Sequence, residues 1–326
     1  EIYKSAGPLD LTVFSKFANL DGCDALRYEK LVPEYPAADF VGEDDIFAAI
    51  KERDRMIHCP YESFMSIVDF LEQAADDPDV LAIKQTLYRV NGNSPVIAAL
   101  IKAAQNGKQV TVLVELKARF DEANNVEWAK KLEKAGCHVI YGLHGLKTHC
   151  KILTVIRRED DQLRSYMHLG TGNYNESTAK LYTDIGLFTC REEYGSDSVT
   201  LFNMLTSYAG SPVYKEFKVA PRDLRKFFEH MIKTETENAL KGKPAGISAK
   251  INSLVDPKII ELLYKASQSG VKINLLVRGI CCLIPGKKGL SENITVHSIV
   301  GQLLEHSRIF KFENGGDPKL YMGSAG

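Results

Sequence analysis

Residues 97–115, IAALIKAAQNGKQVTVLVE, align with residues 259–278, IIELLYKASQSGVKINLLVR, when one residue of slack is allowed. In each stretch, apolar residues at helical spacing lead into a short polar turn, and a nearly continuous apolar run follows. Both stretches therefore predict a helix followed by a buried strand. Because internal self-similarity indicates related structural units, the sequence predicts two homologous α/β halves in one chain.

The region around the first copy of the repeat alternates between strand and helix patterns. A helix over residues 61–75 precedes strand, helix, strand, helix and strand between residues 80 and 141. Such alternation is typical of parallel strands joined by crossover helices. Further strands follow, with a helix expected to open near Asn173, and a long helix over residues 221–241 begins the second half.

The predicted fold class is α/β, with two tandem domains whose mixed, largely parallel sheets are related by an internal pseudo-symmetry. We place the first domain at residues 51–215 and the second at residues 216–326. Residues 1–50 lack a sustained apolar period, and we interpret them as the remnant of an upstream region.

Composition excludes few classes of function. The 326 residues include 41 Lys and Arg against 42 Asp and Glu, so any anion site must be a local cluster. The sequence has no apolar run of about 20 residues and does not begin with a signal-peptide pattern. We therefore expect a cytoplasmic protein without membrane insertion. The seven cysteines are scattered without metal-ligand spacing, and we interpret them as reduced thiols.

A histidine followed two residues later by a cation occurs downstream of each repeat. The pairs are His149 with Lys151 and His306 with Arg308. Side chains two residues apart on a strand share a face, so each imidazole and its cation should point the same way. A neutral imidazole among cations is a competent nucleophile toward phosphorus, whereas a single histidine is more often a hydrogen-bonded core residue. Duplication on two homologous strands favours the functional interpretation.

Other residues have the chemistry to hold phosphate groups. Asn173 and the glycines before it would present backbone N–H groups to an anion at a helix start, although a simple Gly-rich turn explains this segment equally well. Cations stand at the carboxyl ends of predicted strands, the edge where open α/β sheets bind ligands. These cations are Arg89, Lys117, Arg119 and Arg278. Singly each is more readily a surface charge, but together they would form a cradle for several phosphates.

Two common nucleotide-binding signatures are absent from the sequence. No G-x-x-x-x-G-K-[ST] occurs, and no G-x-G-x-x-G follows a predicted strand. The sequence therefore argues against a P-loop kinase and against a Rossmann dehydrogenase.

A set of motifs covers most of the chain from about residue 35 to its end. They are AIKQTLYRV, VELKARFDE, GLKTHCK, GTGNYNESTAKLYTDIGL, INSLVD, LLVRGICCLIPG and LEHSRIFKFENGG. With them the chain resembles polyphosphate kinase of the first type, a family of the phospholipase D-like superfamily. The resemblance implies two tandem phospholipase D-like domains. It also implies that His149 becomes phosphorylated and that Tyr182, Arg278 and His306 contact ATP.

The resemblance further implies a magnesium cofactor beside Arg89 and Arg119. A guanidinium has no lone pair to donate, so we interpret both as phosphate holders near Mg²⁺ and not as direct ligands. The implied partners are ATP or ADP and inorganic polyphosphate, with no nucleic acid among them.

The chain departs from the superfamily and family patterns at a few positions. Superfamily phosphodiesterases carry H-x-K-x₄-D, but Ile156 occupies the Asp position here, and Arg308 replaces the second lysine. Family members continue beyond the position of Gly326 and carry two additional N-terminal domains, so we expect a C-terminal fragment whose second domain is truncated. The resemblance implies a homo-oligomer for the full-length enzyme.

The sequence thus predicts reversible transfer of the ATP γ-phosphate to the end of inorganic polyphosphate through a phosphohistidine. Two alternatives stay open at this point. The fragment would be a non-catalytic module that binds polyphosphate or nucleotide, or a phospholipase D-like phosphodiesterase that uses the same histidine pair. The missing Asp weakens the second alternative.

Overall fold

In a computed structural model of the chain, two β-sheets form the framework, and each is built around one copy of the repeat. The structure describes residues 4–88, 94–115, 122–143, 145–207 and 212–325. The chain divides into two compact units, Glu1–Val32 and Pro33–Gly326. The described part of the first unit contains the 3₁₀ helices Thr12–Asn19 and Asp24–Leu26, and both sheets belong to the second unit.

The first sheet is built from seven strands along its main path within the described ranges. In spatial order these are β1 (Arg55–Cys59), β7 (Tyr182–Thr189), β6 (Gln162–Gly170), β5 (Lys151–Glu159), β2 (Val80–Leu87), β3 (Gln109–Val114) and β4 (His138–Tyr141). A short strand from the second half of the chain, β11 (Leu304–Glu305), pairs in parallel with the start of β7. The two halves therefore share a sheet at this point.

The second sheet reproduces the order of the first. Its strands are β10 (Ile294–His297), β9 (Lys272–Val277), β8 (Gly246–Ile251), β12 (Arg308–Phe312) and β13 (Lys319–Gly323). The path β10-β9-β8-β12-β13 matches β4-β3-β2-β5-β6, with parallel pairs first and antiparallel pairs after them. The predicted fold class, two α/β domains with mixed sheets related by pseudo-symmetry, is confirmed.

The antiparallel share of the sheets is larger than the strand and helix alternation indicated. β5 and β6 are joined by Asp160 and Asp161, whose φ angles are 46° and 63°. A two-residue turn with positive φ at both positions has a backbone twist that matches the twist of the two strands it joins. A strand that returns through so short a turn must run antiparallel, and this turn fixes Lys151 opposite Gly170.

Helices cover the sheets. They are α1 (Ile46–Glu52), α2 (Met65–Asp76), α3 (Pro95–Gln105), α4 (Glu122–Lys134), α5 (Glu192–Ser207), α6 (Leu224–Leu240) and α7 (Pro257–Gln268). In α7, the Asp256 carboxylate accepts hydrogen bonds from the N–H groups of Lys258 and Ile259 at 3.0 and 3.1 Å, and Pro257 follows at the first helical position. The sequence starts this helix with an acidic cap and a residue that needs no N–H partner there.

Alternating residues of one strand pack on opposite faces of the first sheet. Leu153 joins the core under α2 and α3, while its neighbour Ile152 packs with Leu201 and Phe202 of α5. Because successive strand residues face opposite ways, both faces of β5 are covered by helices. Lys151, the first residue of β5, therefore lies inside the protein. Among the described residues, no helix is long and apolar enough to cross a membrane.

The connection between α5 and α6 is fixed by a buried carboxylate. Asp197 of α5 accepts hydrogen bonds from the backbone N–H groups of Lys215, Glu216 and Phe217 at 2.9, 2.7 and 2.8 Å. The boundary predicted between residues 215 and 216 lies in this connection and stays a prediction. The three bonds hold the start of the second half against the helix that covers the first sheet.

Replacing Asp197 with Ala should lower the free energy of unfolding by about 2–4 kcal/mol, because three N–H groups lose a charged acceptor. Urea unfolding of the chain measures the change. Ser196→Ala, on the exposed side of the same helix, should change it by no more than about 0.5 kcal/mol. Equal stabilities for the two variants would contradict this role of Asp197.

Candidate active site

His149 and Lys151 lie at the start of β5. The strand begins at Lys151, so His149 precedes it, and the prediction that both residues lie on the strand is wrong by two positions. Lys151 is only 4% exposed, and its ammonium group donates a hydrogen bond to the carbonyl oxygen of His149. Burial lowers the pKa of Lys151 to about 7. Because this pKa lies near neutral pH, an anion bound next to the ammonium group would shift Lys151 toward its protonated form.

His306 reaches the site through the short strand shared between the halves. The N–H of Leu304 donates to the Leu181 carbonyl and that of Ser307 donates to the Thr183 carbonyl, both at 2.8 Å. β12 then begins at Arg308, opposite Gly323, just as β5 begins at Lys151 opposite Gly170. Each histidine thus stands two residues before an antiparallel strand that starts with a cation.

Each of the two imidazoles is held by a group from the other half of the chain. His149 Nδ1 lies 3.0 Å from the carbonyl oxygen of Ser324, which follows β13. His306 Nδ1 lies 2.8 and 2.9 Å from the two carboxylate oxygens of Asp184 on β7. The halves therefore orient each other's histidine.

The two histidines differ in the charges around them. Burial, with Lys151 and Arg308 nearby, lowers the pKa of His149 to about 3, and the Ser324 carbonyl opposes this only in part. Burial also lowers the pKa of His306, but the Asp184 carboxylate acts in the opposite direction. A neutral imidazole is therefore favoured at His149, while His306 has a partner that stabilises its protonated form.

Asp184 is a site residue that the sequence reasoning missed. Its carboxylate also accepts a hydrogen bond from the Thr171 hydroxyl at 2.6 Å. A Cβ added at Gly172 would lie 2.4 Å from the Asp184 carboxylate, so only glycine fits there. The sequence contains a feature that indicates Asp184. This acid follows Tyr182 by two residues in the motif LYTD, and so lies on the same face of a strand as Tyr182.

The loop before β7 differs from the prediction. The helix expected to open near Asn173 is absent from this described segment, where a 3₁₀ helix, Thr178–Lys180, follows a loop. The Asn175 Oδ1 accepts hydrogen bonds from the N–H groups of Ser177 and Thr178, so Asn175 caps a short helical turn, which ends at Leu181 directly before β7 begins. The Oδ1 atom of Asn173 is buried without a hydrogen-bond partner among the described residues.

Two arginines add positive charge to the site. Arg308 is 3% exposed and donates from Nη1 to the His306 carbonyl oxygen at 2.5 Å. Burial lowers the pKa of Arg308, and the charge of Arg278 lowers it further. The Nε–H groups of Arg278 and Arg308 are both buried and lack an acceptor within the described part of the chain. Such donors are suited to the oxygens of a phosphate group.

Aromatic rings lie against both histidines. The Tyr182 ring contacts His306 at a centroid distance of 5.0 Å. The Tyr88 ring contacts His149 edge-on at 5.2 Å, and the sequence reasoning had not singled it out.

The structure thus brings together most of the residues predicted for the site. His149, Lys151, His306, Arg308, Tyr182 and Arg278 are linked by the contacts and charge effects described above. Asn173 is in the loop that carries Gly172, next to Asp184. Arg89, Lys117 and Arg119 lie outside the described residues.

The described residues of this site do not include a group of protein ligands for a metal ion. Over the described ranges, no cluster of three or more His, Cys, Asp or Glu side chains could hold a metal. The charges of Lys151 and Arg308, which act on His149, are positive, and a cation repels Mg²⁺ unless phosphate oxygens lie between them. The described residues therefore fit a magnesium ion carried by a phosphate ligand and do not fit one held by the protein alone.

Comparison with solved structures gives close agreement over nearly the whole chain. Polyphosphate kinase from Porphyromonas gingivalis superposes with a TM-score of 0.85 and 36% sequence identity, over 94% of this chain and 51% of that chain. Phosphatidylserine synthase from Haemophilus influenzae superposes with a TM-score of 0.52 at 8% identity, over 79% of this chain and 75% of that chain, and shares the fold alone. The two α/β domains predicted from the sequence therefore have the fold of a solved polyphosphate kinase.

Comparison of sequences gives the family. Proteins named polyphosphate kinase from Lactiplantibacillus plantarum and Streptomyces coelicolor are 54% and 50% identical to this chain over 99% and 100% of its length. The chain covers 45% and 44% of those proteins, and so spans about half the length of the curated relatives it matches. Residues 45–211 match the model of polyphosphate kinase C-terminal domain 1, and residues 217–326 match that of C-terminal domain 2. With both models matched in order along one chain, this protein belongs to the polyphosphate kinase family.

Proposed function

We propose that the chain carries the phosphoryl-transfer centre of a polyphosphate kinase, which moves the γ-phosphoryl group of ATP to the end of inorganic polyphosphate through a phosphohistidine at His149. One observation carries the proposal: a half-buried imidazole, anchored at Nδ1, lies among the buried cations Lys151 and Arg308. This arrangement combines a neutral nucleophile with charges that bind phosphoryl oxygens.

The hydrogen bond at Nδ1 determines which nitrogen of His149 attacks the phosphorus. A carbonyl oxygen only accepts hydrogen bonds, so the contact with the Ser324 carbonyl assigns the proton of neutral His149 to Nδ1. Nε2 then keeps its lone pair. A pKa of about 3 for His149 means that this neutral form is present throughout the physiological pH range.

The reaction proceeds in two displacements. The Nε2 lone pair of His149 forms a bond to the γ-phosphorus while the bond from that phosphorus to the β–γ bridging oxygen breaks, and ADP leaves with the electron pair. A terminal oxygen of polyphosphate then attacks the same phosphorus, and the N–P electrons return to the imidazole. One phosphoanhydride replaces another, so we expect the reaction to run in both directions.

The surrounding groups act mainly through charge and position. Phosphoryl transfer has a loose transition state whose oxygens are highly charged, so cations at fixed positions lower its free energy. Lys151, Arg308 and Arg278 supply such charge. The Nε–H groups of the two arginines, which have no acceptor among the described residues, provide further donors. The site is already built to surround an anion.

His306 is proposed to bind and align the nucleotide phosphates. Its contact with the Asp184 carboxylate favours a proton on both ring nitrogens once a phosphate is near, which makes Nε2 a charged donor. ADP is already a good leaving group, so we assign His306 to alignment and not to obligatory acid catalysis.

Mg²⁺ is proposed to enter with the phosphates of ATP or polyphosphate. When bound, it neutralises phosphate charge and so assists the transfer. The protein contributes the arginine and lysine side chains that hold the outer oxygens of those phosphates. Arg89, Arg119 and Lys117 stay predictions, because they lie outside the described residues.

The phosphodiesterase alternative has less support. Ile156 stands on β5 where the superfamily enzymes carry Asp, and it pairs with Ser165 of β6 and Ala82 of β2. An apolar side chain at that position provides neither a charge nor a hydrogen bond for the histidine site.

Incubation with γ-labelled ATP and Mg²⁺ should place an acid-labile, base-stable label on the chain. His149→Ala should abolish that label, because the nucleophile is removed. His230→Ala, which changes an exposed histidine on α6, is the matched control and should retain it. Label that survives on His149→Ala would overturn the assignment. A chain with no label but with measurable polyphosphate binding would support the binding-module alternative.

Asp184→Asn should slow phosphoryl transfer about 10- to 100-fold, because an amide retains the size of the side chain but not the charge that supports protonated His306. The rate of labelling by ATP in rapid-quench experiments measures the effect. Asp317→Asn, at an exposed surface position, serves as the control. Equal rates for wild type and Asp184→Asn would remove Asp184 from the mechanism.

The charge of Lys151 should impose a pH dependence. Its ammonium is protonated below a pKa of about 7, so the second-order rate constant for labelling should fall as pH rises through that value. In Lys151→Arg the charge persists, and the ratio of wild-type to variant rate constants should decrease by about tenfold per pH unit above the pKa. Ionisation of ATP is common to both proteins and cancels in the ratio. A ratio that stays constant from about pH 6 to pH 9 would contradict the role of Lys151.

A further inference from the structure

The ring of Tyr88 touches several groups of the proposed phosphoryl-transfer centre. Its centroid lies 5.2 Å from that of the His149 imidazole, with 79° between the ring planes. The Nζ atoms of Lys147 and Lys151 each lie 5.1 Å from the same centroid. One neutral ring therefore contacts the proposed nucleophile and two ammonium groups beside it.

The position of this ring is fixed by the pairing of β2 with β5. Tyr88 follows directly after the end of β2. The hydroxyl of Thr86 donates to the Cys150 carbonyl at 2.8 Å and accepts from the N–H of Ile152 at 3.2 Å. These bonds tie the end of β2 to the chain on both sides of Lys151. The aromatic side chain is thus held beside His149, which lies two residues before β5 begins.

A further hydrogen bond fixes the segment that carries Lys147 and His149. The buried Glu115 carboxylate accepts a hydrogen bond from the N–H of Thr148 at 2.7 Å. This bond holds the backbone next to His149, and the Tyr88 ring contacts the His149 imidazole. Together the two contacts leave the imidazole little freedom to rotate.

A neutral ring is well suited to this position. The face of an aromatic ring attracts ammonium groups, and the edge-to-face geometry gives a ring pair a defined orientation. A carboxylate at the same place would cancel charge needed by the phosphoryl oxygens and would favour a protonated, non-nucleophilic His149. An aromatic ring attracts the cations and keeps water from the imidazole. It neither cancels their charge nor favours a protonated His149.

We propose that Tyr88 is a positioning residue, which holds the His149 imidazole in the orientation for attack and retains Lys147 and Lys151 beside it. This inference rests on the proposed role of His149 as the nucleophile. The contacts that support it are those of the aromatic ring. Tyr88→Phe should therefore behave like the wild type, whereas Tyr88→Leu should not.

The first measurement needs no activity. The His149 imidazole is followed by NMR during a pH titration of the nucleotide-free chain, which gives its pKa and its tautomer. In wild type and Tyr88→Phe the pKa should stay near 3 with the proton on Nδ1. In Tyr88→Leu, water reaches the ring, so the pKa should rise by about one unit or more and the tautomers should mix.

Other groups that face His149 are present in all these variants. They are Lys151 at the start of β5, Arg308 at the start of β12, His306 before it, and the Ser324 carbonyl after β13. A change in titration between Tyr88→Phe and Tyr88→Leu thus reports the ring itself. Tyr61→Leu breaks a comparable contact, with His58 at 4.9 Å, and is the matched control that should leave His149 unchanged.

The second measurement is the rate of labelling by γ-labelled ATP. Tyr88→Leu should label about 10- to 100-fold more slowly, since a misplaced nucleophile loses its near-attack geometry. Circular dichroism and urea unfolding show whether each variant is folded, and Tyr88→Phe supplies the rescue. If a folded Tyr88→Leu matches the wild type in both titration and labelling, the inference is overturned. If the wild type itself acquires no label, the proposed function fails, while the titrations still decide the role of Tyr88.

Discussion

The pairing of Leu304 and Glu305 with the first residues of β7 is the contact on which the site depends. These residues belong to the second half of the chain, yet they extend the sheet of the first half. The next two residues are His306 and Ser307, and the strand beyond them returns to the second sheet at Arg308. A short segment tied to both sheets therefore carries the histidine, and its position cannot change without breaking backbone hydrogen bonds.

This connection makes the two histidines unequal although they come from matching positions. His306 is hydrogen-bonded to a carboxylate of the first half, Asp184, whereas His149 is hydrogen-bonded to a backbone carbonyl of the second half, that of Ser324. A neutral acceptor keeps His149 uncharged, as its proposed role as nucleophile requires, and a charged acceptor favours the protonated form that the proposed role of His306 requires. The proposed division of roles follows from the partners and not from the imidazoles themselves.

Much of the fold and of the proposed site was predictable. The repeat at residues 97–115 and 259–278 predicted two related α/β halves, and the strand orders confirm them. The H-x-K pattern selected His149 and Lys151 correctly as neighbours, but placed His149 on a strand that begins at Lys151. The helix expected near Asn173 was wrong because the chain forms a short 3₁₀ turn, Thr178–Lys180, capped by Asn175, before β7 begins at Tyr182. A residue suited to cap a helix shows where a turn can start but not how far it continues.

The sequence by itself determined the duplication, the α/β class, the histidine and cation pairs and the resemblance that led to the family, because these depend on residue type and spacing along the chain. Only the tertiary structure decided which groups meet across the two halves: Asp184 with His306, Ser324 with His149, and Tyr88 with its three neighbours. Such contacts join residues that are far apart in sequence, and a backbone carbonyl has no signature in the residue that carries it. They are set by the register of strands in a shared sheet, which packing fixes only once the whole chain has folded.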